Sequence, residues 1–180
     1  MNHGRPLYWH RMTALWLLLV PLAHAVTTEA DVKAAFIYNF TKFVEWPLTA
    51  LADNAPLQLC VLGKDDTSPR LLQLQGREAQ GHPLQVRQLA HPDELAGCHV
   101  MYIARGHARL LPPNHKLFSG NGLLTVSDTP GFVRQGGMIE LFVESSRVQF
   151  MVNVDNAQQA DLKISARMLQ LARIPRQGEK

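Results

Sequence analysis

The sequence predicts an α/β fold: a single-domain sandwich with a largely parallel sheet, flanking helices and a C-terminal antiparallel hairpin. Short apolar runs alternate with amphipathic helical patterns along much of the chain, an order typical of parallel sheets. Two later strand patterns are separated only by Glu144, Ser145 and Ser146, which predicts a hairpin. A composition of 46% hydrophobic and 18% charged residues is that of a globular chain with a substantial core.

Residues 28–45 predict the first helix, with Thr28 or Asp31 as its cap and Pro47 ending it. The apolar stripe expected to face the core consists of Val32, Ala35, Phe36, Phe40, Phe43 and Val44. Three large side chains point away from that stripe: Ile37, Tyr38 and Trp46. These three are candidate contacts for a partner, although complete burial of the helix explains the same pattern.

Short apolar runs predict the strands. The expected strands before the hairpin cover residues 57–62, 84–86, 98–104 and 123–126. Ser68 and Pro69 open a short helix after the first of them. The hairpin strands cover residues 138–143 and 147–154, and a final helix is expected over 156–172. The apolar stripe of that final helix is Leu162, Ile164, Met168, Leu169 and Ala172.

The first 25 residues have the pattern of a secretory signal peptide. Arg5 and Arg11 precede an apolar run over residues 12–22, and Ala23-His24-Ala25 has the small-residue spacing of a cleavage site. This run is only about half of the roughly 20 residues that cross a bilayer. We therefore expect cleavage after Ala25, a periplasmic domain over residues 26–180 and no membrane span after cleavage. The alternative is a buried N-terminal helix.

Loss of the signal peptide changes the charge balance. The segment contains two arginines and no acid, so 16 basic and 15 acidic side chains remain and the net charge becomes +1. Nucleic-acid binding depends on neutralising phosphates with a basic surface. Nucleic acid is therefore excluded as a partner.

Cys60 and Cys98 are the only 2 cysteines of the chain. In an oxidising compartment, an even pair favours a disulfide bond. A reactive thiol and metal ligation are the alternatives, and the chain has no C-x-x-C motif to support a redox site.

The common catalytic motifs are absent from the sequence: G-x-S-x-G, H-E-x-x-H, the P-loop and G-x-G-x-x-G. Five histidines follow residue 25, namely His82, His91, His99, His107 and His115. They lack the close spacing of a zinc or copper site, which favours ordinary loop histidines. We therefore expect a protein that is not an enzyme and that has no metal or cofactor.

Two groups of polar residues near the predicted strand ends are candidate binding residues. The first group follows the strand at 123–126 and consists of Ser127, Asp128, Gly131 and Phe132. Ligands of open α/β sheets bind beyond the carboxyl ends of strands, although simple turn chemistry explains this loop equally well. The second group is Arg147 and Asn153, which share a strand face opposite Phe150. They are expected to form a polar ladder or to meet a ligand.

Several segments form a recognisable ordered set. They are Ala34 to Pro47, Cys60 to Gly63, Gly97 to Val100, Leu123 to Asp128 with Gly131 and Phe132, Gly136 to Ile139, Arg147 to Asn153, and Leu162 to Ser165 with Leu169 to Ala172. In this order they resemble the YfiR family of periplasmic proteins. The resemblance covers nearly all of the chain after residue 25.

The resemblance implies a periplasmic regulator that binds the periplasmic region of a membrane diguanylate cyclase. Such a regulator represses cyclic-di-GMP synthesis and so lowers biofilm formation. Cys60 and Cys98 fall where the family has a disulfide, whereas the second, C-terminal disulfide of some members has no counterpart here. A homodimer is left open. The alternative function is a periplasmic small-ligand-binding protein without a cyclase partner.

Overall fold

The structure, a computed structural model, describes Met1 and residues 27–110 and 122–175. Apart from Met1, the predicted signal peptide lies outside the described residues. The predicted fold class is confirmed, because a mostly parallel seven-stranded sheet is flanked by helices and accompanied by a small antiparallel ladder.

Nine strands lie in the described part of the chain. Their bounds are β1 Val44–Glu45, β2 Leu57–Leu62, β3 Glu78–Ala79, β4 His82–Leu89, β5 Val100–Ile103, β6 Leu124–Ser127, β7 Ile139–Glu144, β8 Arg147–Val152 and β9 Lys163–Ile164. The large sheet has the order β3-β4-β2-β5-β6-β7-β8, and β1 pairs with β9 separately. Strands β4, β2, β5, β6 and β7 are parallel, whereas β3 and β8 are antiparallel edges. Strands β2, β5 and β6 are buried along nearly their whole length, as is typical of parallel strands that are covered on both faces.

Four α-helices accompany the sheet in the described residues: α1 Glu29–Phe43, α2 Ser68–Leu72, α3 Val154–Gln159 and α4 Ala166–Leu169. A capping box begins α1, in which Thr28 Oγ1 accepts the Asp31 N–H at 3.2 Å and the Asp31 carboxylate accepts the Thr28 N–H at 2.9 Å. Within the described segments, no helix has both the length and the apolar character needed to cross a bilayer.

The buried face of α1 differs from the predicted stripe. Its buried residues are Lys33, Ala34, Ile37, Phe40 and Thr41. Ile37 is fully buried instead of pointing outward, whereas Ala35 is exposed and Phe36 is half-buried. The rings of Phe36 and Phe40 lie 5.5 and 5.0 Å from that of Phe150 on β8. Phe36 and Phe40 thus pack against β8 as the predicted stripe requires, and Ile37 lies in the core as well.

The predicted antiparallel hairpin is confirmed. Strands β7 and β8 pair from Ile139 with Val152 to Glu144 with Arg147. Ser145 and Ser146 have φ angles of 50° and 60°, as a two-residue type I′ turn requires. Phe150 is buried, as predicted from its position on the strand face opposite Arg147.

The predicted final helix over residues 156–172 is wrong, because the chain forms two short helices there. Asn153 caps α3 and Ser165 caps α4, each accepting a backbone N–H from three residues ahead. Between them, Asp161 has a φ of 59°, which ends the first helix. The intervening strand β9 pairs with β1, so Ile164 lies on a strand.

The predicted disulfide is confirmed between Cys60 in β2 and Cys98 just before β5, with Cα atoms 5.9 Å apart. Arg87 of β4 lies against it, with Nη2 at 3.5 Å from Cys98 Sγ and 3.8 Å from Cys60 Sγ. The same nitrogen donates to the carbonyl oxygens of Glu94 and Ala96. The bridge and the arginine together tie β2, β4 and the segment before β5.

His99, beside the disulfide, is held in its neutral form. Its Nδ1 accepts the Gln58 N–H at 2.9 Å, so Nε2 carries the hydrogen and donates to the Ala50 carbonyl at 2.9 Å. Burial is the main cause that lowers the pKa of His99 below its ordinary value.

We expect acid to destabilise the protein through His99. The pKa of His99 in the unfolded chain is taken as the ordinary value of 6.5. As the pH falls below this value, His99 becomes protonated in the unfolded chain but stays neutral in the folded protein, so the free energy of unfolding decreases. In His99→Gln this part of the pH dependence should disappear. Denaturant titrations between about pH 7.5 and about pH 5 measure it. The control His91→Gln alters an exposed histidine and should keep the wild-type dependence; an unchanged slope in His99→Gln would contradict the assignment.

Candidate functional site

The order of the parallel strands reverses at β2. From β2 the chain continues to β4 on one side, and then to β5, β6 and β7 on the other. In open α/β sheets, such a reversal leaves a crevice beyond the carboxyl ends of the two strands that flank it. The residues that follow β2, β5 and β6 at this edge include Asp65, Arg105 and Asp128.

A cleft of about 770 Å³ lies at this position. Its walls come from the loop between β2 and α2, the segments after β5 and β6, and the N-terminal turns of α1 and α2. The lining residues are Thr28, Glu29, Ala30, Lys33, Asp65, Asp66, Thr67, Pro69, Arg70, Arg105 and Asp128. A volume of this size is typical of small-molecule sites, although polar and charged residues line most of this one.

A buried ion pair joins α1 to the carboxyl end of β6. Lys33 Nζ lies 2.6 Å from Asp128 Oδ2, and each side chain is only 6% exposed. Glu29 Oε1 also contacts Lys33 Nζ, at 2.7 Å, and Arg105 Nη2 contacts Asp128 Oδ2 at 3.1 Å. Burial alone would lower the pKa of Lys33, but hydrogen bonds to Asp128 and Glu29 outweigh it and raise that pKa. Lys33 therefore stays charged at physiological pH.

Asp65 is held by neutral donors. Its Oδ1 accepts hydrogen bonds from Ser68 Oγ and from the N–H groups of Thr67 and Ser68, and its Oδ2 accepts the Tyr102 hydroxyl at 2.6 Å. Burial opposes ionisation of Asp65, but these hydrogen bonds lower its pKa overall. Burial and the Asp65 contact raise the pKa of Tyr102, which stays a neutral donor. The loop after β2 is thereby fixed in place.

Several polar groups in the cleft retain capacity for a ligand, among them Arg70, which contacts Asp31 through Nε alone. Arg105 is 59% exposed and contacts Asp128 through a single nitrogen, which leaves most of its donors free. The Asp66 carboxylate is exposed and accepts no hydrogen bond from the described residues. Asp128 Oδ1 is buried and likewise has no partner among them. The cleft thus presents free groups of both charges.

The loop 127–132, a predicted candidate site, contributes Asp128 alone to the cleft. Ser127 is buried and its hydroxyl donates to the Ile103 carbonyl at 2.8 Å. Phe132 belongs to the core. The Gly131 N–H donates to the Glu140 carboxylate at 3.0 Å. Most of this loop therefore holds the fold together.

The other predicted candidates lie apart from the cleft. Tyr38 is half-buried, donates its hydroxyl to the Glu78 carbonyl at 2.7 Å and has the Lys42 ammonium 4.0 Å from its ring centroid. Trp46 donates to the His99 carbonyl at 3.2 Å. Ile37 and the two strand residues are not lining residues either: Arg147 is exposed at the hairpin turn, and Asn153 caps α3 instead of forming a ladder with it.

Sequence reasoning missed Lys33, Asp65 and Arg105. The position of Lys33 gave a clue to its burial, since it precedes Ile37 by one helical turn on the buried face of α1. The positions of Asp65 and Arg105 gave a weaker clue, because each lies within three residues of the end of a strand, where ligands of such sheets bind.

The described residues hold no group of three or more His, Cys, Asp or Glu side chains arranged to bind a metal ion. His115 lies outside the described residues. The residues that line the cleft are mainly charged and hydrogen-bonding ones.

Comparison with known proteins agrees with the resemblance seen in the sequence. A family model described as YfiR/HmsC-like matches residues 30–173, which include every residue of the cleft except Thr28 and Glu29. No individual curated protein matches the chain.

Proposed function

The chain belongs to the YfiR/HmsC-like family of periplasmic regulators, and from this premise we propose that it represses a membrane diguanylate cyclase. The observation that carries the proposal is the family match over residues 30–173. In this proposal, residues 1–25 are removed on export, and the domain over 26–180 binds the periplasmic region of the cyclase. Binding then lowers cyclic-di-GMP synthesis and biofilm formation. The family is regulatory and not catalytic.

Apolar contact should provide most of the binding, because a net charge of +1 after export gives little long-range steering. Helix α1 offers no large exposed apolar side chain, since Ile37 and Phe40 are buried. Large apolar side chains are instead exposed after β1 and after α4, at Leu48 (72%), Leu171 (75%) and Ile174 (47%). We propose these three as partner contacts.

Deletion of the protein should raise cellular cyclic-di-GMP, and the wild-type chain should restore the low level. Leu171→Glu should fail to restore it, because a charge placed in an apolar contact must be desolvated without a partner. Mass spectrometry of cell extracts measures the nucleotide, and immunoblotting confirms equal amounts of protein.

Leu72→Glu is the matched control, since Leu72 is also exposed but lies on α2; it should repress normally. Co-purification with the periplasmic region of the cyclase tests binding directly. Unchanged cyclic-di-GMP after deletion, together with no co-purification, would overturn the proposal.

A second function, small-ligand binding without a cyclase partner, is favoured by the cleft at the strand reversal. It predicts that deletion leaves cyclic-di-GMP unchanged while a ligand stabilises the purified protein.

A further inference from the structure

We propose that the cleft between the carboxyl ends of β2, β5 and β6 binds a small zwitterion, with free amino acids as the simplest class. The Arg105 guanidinium would bind the ligand carboxylate, and Asp66 and Asp128 would bind its ammonium group. The inference rests on the cleft alone and holds whether or not the partner is a cyclase.

Position and size support a ligand site. The cleft lies where the strand order reverses, which is the usual place for ligands in open α/β sheets. At about 770 Å³ it has ample room for a small organic molecule. The hydrogen bonds of Asp65 and the Lys33–Asp128 pair fix its walls before a ligand arrives, so little ordering is lost on binding.

The unsatisfied groups indicate the charge of the ligand. Asp128 is more than nine-tenths buried, lines the cleft and has an Oδ1 atom with no partner among the described residues. A buried acceptor without a donor is unfavourable, and a ligand ammonium that reached Oδ1, an atom closed to solvent in the structure, would supply the donor. Asp66 offers a second free carboxylate on the same cleft. Of the positively charged groups, Arg105 retains hydrogen-bond donors that suit a ligand carboxylate.

Other ligand classes fit less well. A phosphate-rich ligand would face four carboxylates, those of Glu29, Asp65, Asp66 and Asp128, against three cations. Two of these cations, Lys33 and Arg70, are already paired with carboxylates. A purely cationic ligand would lack a partner for Arg105. Among the described residues, the lining contains no aromatic side chain, which a nucleobase would need for stacking. A molecule that carries one ammonium and one carboxylate satisfies both kinds of free group.

The test is a thermal-shift screen of the purified full domain against each proteinogenic L-amino acid, followed by calorimetry on those that stabilise it. At least one amino acid should bind. Its N-acetyl derivative, which lacks the ammonium, and its amide, which lacks the carboxylate, should each bind at least about tenfold more weakly, since each loses a charge-assisted hydrogen bond.

Two substitutions assign the site. Arg105→Gln and Asp66→Asn should each weaken binding by about tenfold or more. Arg147→Gln and Asp93→Asn change exposed residues outside the cleft and should leave the dissociation constant unchanged.

The proposal is overturned if no amino acid binds at millimolar concentration, if both derivatives bind as tightly as the parent, or if the two cleft substitutions leave binding intact. Because the readout is binding to purified protein, a negative result here is separate from a failure of cyclase repression, which is measured as cellular cyclic-di-GMP.

Discussion

Removal of the Cys60–Cys98 disulfide should lower the free energy of unfolding by about 4 kcal/mol. The bridge spans 38 residues, and in the chain-entropy model a loop of that length restricts the unfolded chain by about this amount. The folded state should tolerate the loss, because Cys60 lies in a central strand whose ladder to β4 and β5 is complete without it. The expected effect is therefore a less stable protein with the same fold.

The measurement is denaturant unfolding of the double variant Cys60→Ala/Cys98→Ala beside the oxidised wild type. Alanine keeps both positions apolar, so the comparison isolates the bridge from burial of a free thiol. Thiol labelling of the unreduced, denatured wild type should find no free thiol. Two titratable thiols, or a loss below about 1 kcal/mol, would show that the bridge does not stabilise the protein in this way.

The parallel core could be predicted from the sequence because local signals and tertiary structure agree there. The run at residues 57–62 is apolar except for Gln58 and is followed by Gly63, and strand β2 has those bounds. The same agreement holds for the hairpin, where two serines occupy the turn between two strands. In each case one local pattern specifies the element without reference to its neighbours.

Helix α1 shows why burial was harder to predict than secondary structure. The spacing of Phe36, Phe40 and Phe43 and the spacing of Lys33, Ile37 and Phe40 are both compatible with a helix face. In the structure the buried set is that of Lys33, Ile37 and Phe40, and Lys33 is paired there with Asp128. The burial of Lys33 thus depends on a partner 95 residues later in the chain, which no local pattern shows.

The prediction of a single C-terminal helix is wrong for a different reason. The apolar spacing over residues 156–172 suits one helix, but Asn153 and Ser165 are both good N-caps. The left-handed backbone at Asp161 then separates two short helices. The N-cap residues show where each short helix begins, and an analysis of apolar spacing alone does not take them into account.

The cleft could be located from the sequence only in part. Asp128 was predicted because it follows an apolar strand, but the strand order that places it near Lys33 and Arg105 is a tertiary property. The sequence separation between Lys33 and Asp128 is 95 residues. No local pattern links residues so far apart, so the cleft emerges only from the assembled sheet.

Replacement of Lys33 by methionine should lower the free energy of unfolding by about 3–5 kcal/mol, the usual cost of removing one partner from a buried ion pair. Methionine approximates the length of the lysine stem, so the main loss is the ammonium group. Asp128 would then keep a buried carboxylate whose remaining cation is Arg105, which is largely exposed and 3.1 Å away. The uncompensated charge, and not a cavity, causes the destabilisation.

Three further variants separate this charge effect from other consequences of the substitution. Lys163→Met removes an exposed ammonium from β9 and should change stability by less than about 0.5 kcal/mol. In Lys33→Met/Asp128→Leu both charges are gone, and much of the lost stability should return. Denaturant unfolding of the wild type, Lys33→Met, Asp128→Leu and the double variant gives the coupling energy. If the double variant is as unstable as the sum of Lys33→Met and Asp128→Leu, the two side chains do not depend on each other. The charged pair would then not be what joins α1 to the end of β6.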